Sequence, residues 1–503
     1  MIRFIAVAND TYIARQSRTH AIGISRAKLA KTAKLRDQII LALGLAGLCE
    51  LGELGARDFP FSDSYGNRKI CAGCVAELVD VHSLIDAGLR LCHNHAIAMK
   101  LSRTSILLLC AAVVTMTSLG MSTFSLFLPP MEKEFGWSRA LVTVPYMVAM
   151  MGWAAGAVLF GKLADDYGSR PVILGGIVLM AAGFLGMGLS QNLWQLSLSY
   201  GVCVGMAMGA SSLVIVSLLV SKHYEARHRG LAVSVIQTAP PLSPLLFAPM
   251  IYFLIRSYDW RTAALAASAI LIGVALPLAW IGARDPQTTH ASRDSRIGWA
   301  ACLPHLRNRS MLLLFAVRFS CGVAFFQIAH LVALTMSKGF DAATGARAVS
   351  VFGGAAVVSA LLFGWLSDRH GRAKMLGLSY LVRGVGTLLL SLDMPNALCF
   401  YAVVGLAIGP TFGTVAIQNV MFYELVGPRM AGVILGLSFI VHQIGSAGGP
   451  MVASIVYDQT GSYDGFMVVM GLILLASGLA LFGQIKTDEQ LPEAVATASP
   501  SLS

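Results

Sequence analysis

From residue 106 to residue 483 the chain alternates between apolar runs of 17 residues or more and short polar breaks. A helix rises about 1.5 Å per residue, so runs of that length cross roughly 30 Å of hydrocarbon. Overall 56% of the residues are hydrophobic and only 13% are charged, where a soluble domain carries about 25% charged residues. A large soluble domain with buried helices would need many amphipathic segments, and these runs are not amphipathic. The chain reads as an all-α membrane protein.

Twelve spans are read, at about 106–128 (ending at Pro129-Pro130), 140–160, 171–189, 194–219, 230–254, 262–282, 311–336, 346–366, 375–392, 397–421, 431–456 and 464–483. With residue 100 on the cytoplasmic side, the segments that alternate to that side carry 17 Lys and Arg against 6 on the other. That bias puts both termini in the cytoplasm, as expected of a multi-pass protein of the cell inner membrane. The net charge of +11 then reflects cytoplasmic Lys and Arg, and no nucleic-acid partner is expected.

A polar stretch between the second and third spans, Gly161-Lys162-Leu163-Ala164-Asp165-Asp166-Tyr167-Gly168-Ser169-Arg170-Pro171, returns 203 residues later as Gly364-Trp365-Leu366-Ser367-Asp368-Arg369-His370-Gly371-Arg372-Ala373-Lys374. Gly136-Trp137 is matched by Gly339-Phe340 at the same offset, and Ser257-Tyr258-Asp259 by Ser462-Tyr463-Asp464 at 205. Markers at nearly one offset, at equivalent places between spans, imply two six-helix bundles in parallel repeat. The expected domains are 100–282 and 311–485, joined by a cytoplasmic linker at 283–310, with a disordered tail at 486–503. In the repeated stretch Gly161 and Gly364 are expected to let helices approach closely, and Gly168 and Gly371 to permit tight turns. Asp165 and Asp368, with Arg170, Arg369 and Arg372 as partners, are expected to form a latch that breaks as the halves rock.

The pattern GxL(A/S)DxxGxR between spans 2 and 3 resembles the signature loop of the major facilitator superfamily, in which a copy between spans 8 and 9 is usual (here it ends Gly371-Arg372-Ala373-Lys374), and the resemblance covers about 100–485. Within it the chain is similar to bacterial monocarboxylate-porter and oxalate/formate-antiporter-like transporters, through Phe135-Gly136-Trp137-Ser138-Arg139, Arg227-His228-Arg229-Gly230-Leu231-Ala232, and Cys321-Gly322 followed by His330-Leu331. The resemblance implies secondary transport, with spans 1, 4, 7 and 10 lining a central cavity and spans 3, 6, 9 and 12 peripheral. Animal monocarboxylate transporters are associated with a Lys inside span 1 and an Asp/Arg pair inside span 8, and this chain has neither there.

Two arginines lie deep in apolar spans: Arg318 in span 7 and Arg383 in span 9, each roughly 12 Å from the cytoplasmic end of its helix at 1.5 Å per residue. A buried cation is costly and faces a cavity or a partner. No Asp or Glu sits comparably deep, so the missing counter-ion is expected to be the cargo, a carboxylate suited to the planar guanidinium. By the resemblance Arg318 is the better contact, and Arg383 has a structural alternative. Gln327, His330, Gln418 and Asn419 are further candidates to line the site. His330 and His442 are candidates to carry a coupling proton, with plain hydrogen-bonded histidines as the alternative. Gly201, Gly205 and Gly209 make a smooth strip on span 4, and Pro240, Pro241, Pro244 and Pro249 should kink span 5.

Residues 1–99 differ in composition, with 12 Lys or Arg and 9 Asp or Glu. They read as a poorly ordered cytoplasmic extension or as the product of a miscalled start before Met99-Lys100. Cys71, Cys74, Cys92 and His95 could supply tetrahedral zinc ligands, although unliganded cysteines in a loose tail suit the surroundings better. Cys110, Cys203, Cys302, Cys321 and Cys399 read as small buried hydrophobes. No phosphate loop, nucleophile–base pair or metal cluster is recognisable, so neither an enzyme nor a cofactor is expected. The leading expectation is a secondary active transporter of a small organic anion, a mono- or dicarboxylate, working alone by alternating access as symporter or antiporter. The alternatives are an exporter of drugs or other metabolites with the same fold, and a receptor-like protein acting through its N-terminal tail.

Overall fold

The structure, a computed structural model, describes residues 102–211, 213–284 and 308–484. The extension, its cysteine–histidine set, most of the linker and the C-terminal tail lie outside the described residues. Among the described residues twelve helices are long and apolar enough to cross a membrane: α1 Arg103–Phe135, α2 Arg139–Tyr167, α3 Ser169–Leu189, α4 Leu193–Ser221, α5 Ala232–Ser257, α6 Trp260–Gly282, α7 Arg309–Ala329, α8 Ala342–His370, α9 Arg372–Leu390, α10 Ala397–Gly427, α11 Met430–Thr460 and α12 Asp464–Gly483. These are the twelve spans read from the sequence.

The polar breaks cap the helices. Side chains of Ser102, Asn192, Asp259, Asp341 and Asn396 accept from the backbone N–H groups of Ser105, Gln195, Thr262, Thr344 and Cys399, which satisfies donors that open a helix without an internal partner. The repeat is visible in these ends. Gly136 and Gly339 both have positive φ (64° and 82°) just before α2 and α8. The repeated polar stretch is a loop only at one residue in each copy. α2 runs through Asp165 to Tyr167 and α8 through Asp368 to His370, and each stops at a glycine with φ near 90°, Gly168 or Gly371. Polar residues beyond the hydrocarbon continue a helix as readily as apolar ones, so hydropathy ended these spans too early. Pro129-Pro130 likewise do not end α1, which continues to Phe135. They leave the Ser125 and Leu126 carbonyls without a helical donor, and α1 is irregular just before them, at Ser118 and Thr123. Helix α5 bends at Thr238, directly before Pro240-Pro241.

Within the first half the glycine strip of α4 packs backbone to backbone on α2. A Cβ on Gly205 would sit 2.5 Å from the Ala149 carbonyl oxygen, and one on Gly209 only 2.3 Å from the Gly156 carbonyl carbon. Gly161 and Gly364, expected at close approaches, face open space instead, with nothing within 4 Å of an added Cβ. Gly209→Val is therefore expected to force two backbones apart and cost about 3 kcal/mol, the upper end for overpacking. Purified Gly209→Val should unfold at clearly lower temperature than wild type, whereas Gly161→Val should unfold with it. Equal unfolding temperatures for the two variants would show that α2 and α4 do not touch.

The two halves meet along α2 against α11 and α5 against α8. At the first contact Trp153 lies edge-on to Phe439, ring centroids 5.3 Å apart. At the second a Cβ on Gly353 would lie 2.6 Å from the Leu245 nitrogen.

Candidate functional site

Three helices of the second half converge on a polar cluster in an otherwise apolar core. Arg318 of α7 and Arg383 of α9 are 4% and 1% exposed. Arg318 Nη1 donates to Gln418 Oε1 of α10 at 3.1 Å, Gln418 Nε2 donates to the Tyr380 hydroxyl at 3.1 Å, and that hydroxyl donates to the Val317 carbonyl at 2.7 Å. Arg383 Nη1 donates to Cys321 Sγ at 3.2 Å. Gln327 Nε2 donates to Thr387 Oγ1 at 2.8 Å, and Thr387 Oγ1 donates to the Arg383 carbonyl at 2.7 Å. Four of the candidates read from the sequence, Arg318, Arg383, Gln327 and Gln418, thus stand in one group. Arg383, on α9, reaches the group through Cys321 of α7.

Asn419 is half-buried and outside this network. His442 of α11 borders it: its Nδ1 lies 3.0 Å from Gln443 Oε1 and 3.3 Å from Ser446 Oγ, and its ring meets Phe325 edge-on. Backbone contact brings it there, since a Cβ on Gly322 would lie 2.2 Å from the His442 carbonyl oxygen.

The group is incompletely satisfied. Arg318 Nε, Arg383 Nε, Gln327 Oε1 and His442 Nε2 are buried without a hydrogen-bond partner. Orphaned buried polar atoms are costly and rare in a structural cluster. Neither arginine is ion-paired among the described residues. Two guanidiniums bonded to an amide oxygen and a cysteine sulfur, with no carboxylate bonded to either, have donors chemically suited to an anion.

His330 lies elsewhere, fully buried where the two halves meet. Its Nδ1 is 2.9 Å from the Tyr463 hydroxyl and its Nε2 3.2 Å from Thr143 Oγ1, which is 2.7 Å from Ser454 Oγ. Tyr463 also accepts from Arg139 Nη1 at 3.2 Å, and Arg139 grips both Glu132 oxygens at 2.7 and 3.1 Å. The Asp458 carboxylate of α11 accepts from the Arg139 and Ala140 backbone N–H groups at 3.0 and 2.9 Å, a cap on α2 supplied by the other half. Deeper in, Gln443 Nε2 donates to the Met150 carbonyl at 3.4 Å. The hydrogen bonds between α2 and α11 among the described residues all fall between Arg139 and Met150, toward one end of the bundle.

At the opposite end the expected latch has other partners in this conformation. Arg372 pairs with Glu424 at the end of α10. Arg369 lies 4.1 Å over the Trp365 ring, and Arg170 lies over Trp280 while donating to its carbonyl at 3.0 Å. Asp165 and Asp368 are exposed and in no ion pair among the described residues. No group of three or more His, Cys, Asp or Glu among the described residues could hold a metal ion.

Cys321, Tyr380, Thr387, Arg139 and Tyr463 were not among the site candidates read from the sequence. Cys321 corrects an expectation, because it bonds a guanidinium and is not merely a small hydrophobe. The signal was in the spacing: Cys321 follows Arg318 by three residues and Tyr380 precedes Arg383 by three, which puts each pair on one helix face.

Two six-helix halves, twelve helices long and apolar enough to cross a membrane, and a buried charged cluster within the second half define a polytopic helical membrane protein. Comparison with known proteins agrees. The model of the Major Facilitator Superfamily matches residues 109–356 and again 332–501, and the chain belongs to this superfamily. It is 25% identical over 370 residues to the uncharacterized MFS-type transporter YcxA of Bacillus subtilis (strain 168), covering 71% of this chain and 88% of that protein. It is 28% identical over 363 residues to monocarboxylate transporter 13 of Rattus norvegicus, covering 70% and 80%, and 30% identical over 337 residues to that of Bos taurus, covering 64% and 75%. The chain is therefore a membrane transporter of the superfamily and not an enzyme.

Proposed function

We propose that the protein is a secondary active transporter of a small organic anion, a mono- or dicarboxylate, and that Arg318 and Arg383 bind it. The observation that carries this reading is the pair of buried guanidiniums with unpartnered Nε atoms and no carboxylate bonded to either. The names of its monocarboxylate-transporter relatives support the same class of cargo. The Lys/Arg bias supports both termini, and the Gly168–Gly371 end, lying in the cytoplasm of a cell with the protein in its inner membrane. The Arg139 end then faces outward and is closed in this conformation, with the site occluded. Transport proceeds by alternating access: the bonds between α2 and α11 part, the halves rock, and contacts at the cytoplasmic end, among them those of Asp165, Asp368 and Arg372, form and break in turn. The protein acts as a monomer, with one site in each chain.

The test is uptake of radiolabelled lactate, pyruvate, formate and oxalate into liposomes holding the purified protein, with and without a pH gradient. Saturable uptake of at least one acid, with none of its neutral amide, is expected. Uptake of uncharged or cationic drugs in place of every acid would transfer the reading to a drug exporter.

A further inference from the structure

Cys321 is fully buried one helical turn beyond Arg318, with Arg383 Nη1 donating to its sulfur at 3.2 Å. Its polar neighbours are Arg383 of α9, His442 of α11 and Arg318 of its own helix, and Tyr380 of α9 adjoins them. The α10 helix brings the uncharged Gln418, and residues 465–483 of α12 contain no titratable group. The Tyr380 hydroxyl donates its proton to the Val317 carbonyl. In this group of two guanidiniums and an imidazole, the thiol is left as the one side chain placed to carry negative charge. A neutral thiol is a weak acceptor, whereas a thiolate both accepts from a guanidinium and offsets the cost of burying it. The unpartnered Arg318 Nε, Arg383 Nε and His442 Nε2, each on a side chain more than nine-tenths buried, are donor and acceptor capacity beyond what the thiol uses.

We propose that Cys321 is the resident counter-ion of Arg383 in the empty transporter, and that an entering carboxylate displaces it. The displaced thiolate takes up one proton, so each anion bound brings one proton with it. The charge balances: before entry the guanidinium faces a thiolate, and afterwards it faces the carboxylate beside a neutral thiol. The site thereby becomes a proton–anion symporter without a membrane-embedded carboxylate. Only the displacement step rests on the anion reading of the site.

The experiment is infrared difference spectroscopy of the S–H stretch in the purified full-length protein at neutral pH. Without substrate, replacing Cys321 by Ser or by Ala is expected to remove no S–H intensity, since that sulfur carries no proton, and Arg383→Gln is expected to add one thiol's worth. Two substitutions at Cys321 keep the result independent of how either one folds. Loss of one thiol's intensity in both Cys321 variants overturns the proposal. In a second arm lactate and then oxalate are added to wild type, and the S–H signal should rise by the equivalent of one of the nine cysteines. If an acid that is transported into liposomes leaves the signal unchanged, displacement is overturned. If neither acid is transported and the signal stays flat, it is the anion reading that fails, and the counter-ion assignment stands on the first arm.

Discussion

Arg318→Ala is expected to remove most carboxylate uptake in liposomes at concentrations that saturate the wild type, while leaving the protein folded. A hydrogen bond to a charged group contributes about 1.5–3 kcal/mol, and about 1.4 kcal/mol is tenfold in affinity. Half-saturation should therefore rise about ten- to a hundredfold from this arginine alone. Arg318→Lys should rescue little, because an ammonium cannot present the planar fork that grips a carboxylate. The second readout separates a binding role from a structural one. Arg318 already has an unpartnered buried Nε and no ion pair, so its burial works against the fold, and relief of that cost offsets the cavity and the freed Gln418 oxygen that alanine leaves. Thermal unfolding of purified Arg318→Ala should accordingly occur close to the wild-type temperature. Lost uptake together with a lower unfolding temperature would assign the residue to the scaffold, and retained uptake would remove it from the site.

The fold was legible because the bilayer restricts it so severely: length and hydropathy alone delimit twelve helices, and the 203-residue offset pairs them into halves. What hydropathy could not see was where each helix stops once it leaves the hydrocarbon. α2 and α8 ran past Asp165 and Asp368 until Gly168 and Gly371 turned the chain. Arg318 and Arg383 were legible for the complementary reason, since a lone charge in an apolar run contradicts its surroundings. Their company was not. Cys321 and Tyr380 are ordinary residues for a buried helix, and only the crossing of α7 with α9 turns them into partners of a guanidinium. Arg139 was hidden by its position, because at a helix end it counts as one more loop charge. Nothing local says that α11 will meet it with Asp458, Tyr457 and, across the turn, Tyr463.

Arg139→Gln is expected to open the end of the bundle that this residue closes. Its guanidinium lies 3.6 Å from the centroid of the Tyr457 ring and donates to Tyr463, which in turn bonds His330 at 2.9 Å. Those contacts tie α2 to the second half, while the grip on Glu132 is internal to the first half and holds the guanidinium in place. A partly desolvated cation–π contact contributes about 1–2 kcal/mol, and the charged hydrogen bond about 1.5–3 kcal/mol. Removing both should shift the balance between closed and open arrangements by about a hundredfold to a thousandfold, provided that the open state makes neither contact. Glutamine keeps a hydrogen-bond donor, and the Asp458 cap on the backbone N–H groups survives, so α2 itself should stay helical. The shift can be read as spin-label distances in a cysteine-free background. Labels at Leu141 and Ile455 report on this end, and labels at Lys162 and Gly432 on the other; all four positions are exposed. The first pair should move apart and the second pair together. Tyr463→Phe should reproduce part of the shift, and adding it to Arg139→Gln should give less than the sum of the two, because both remove the same bond. Unchanged distances in both variants would mean that Arg139 braces the first half and does not gate the pathway.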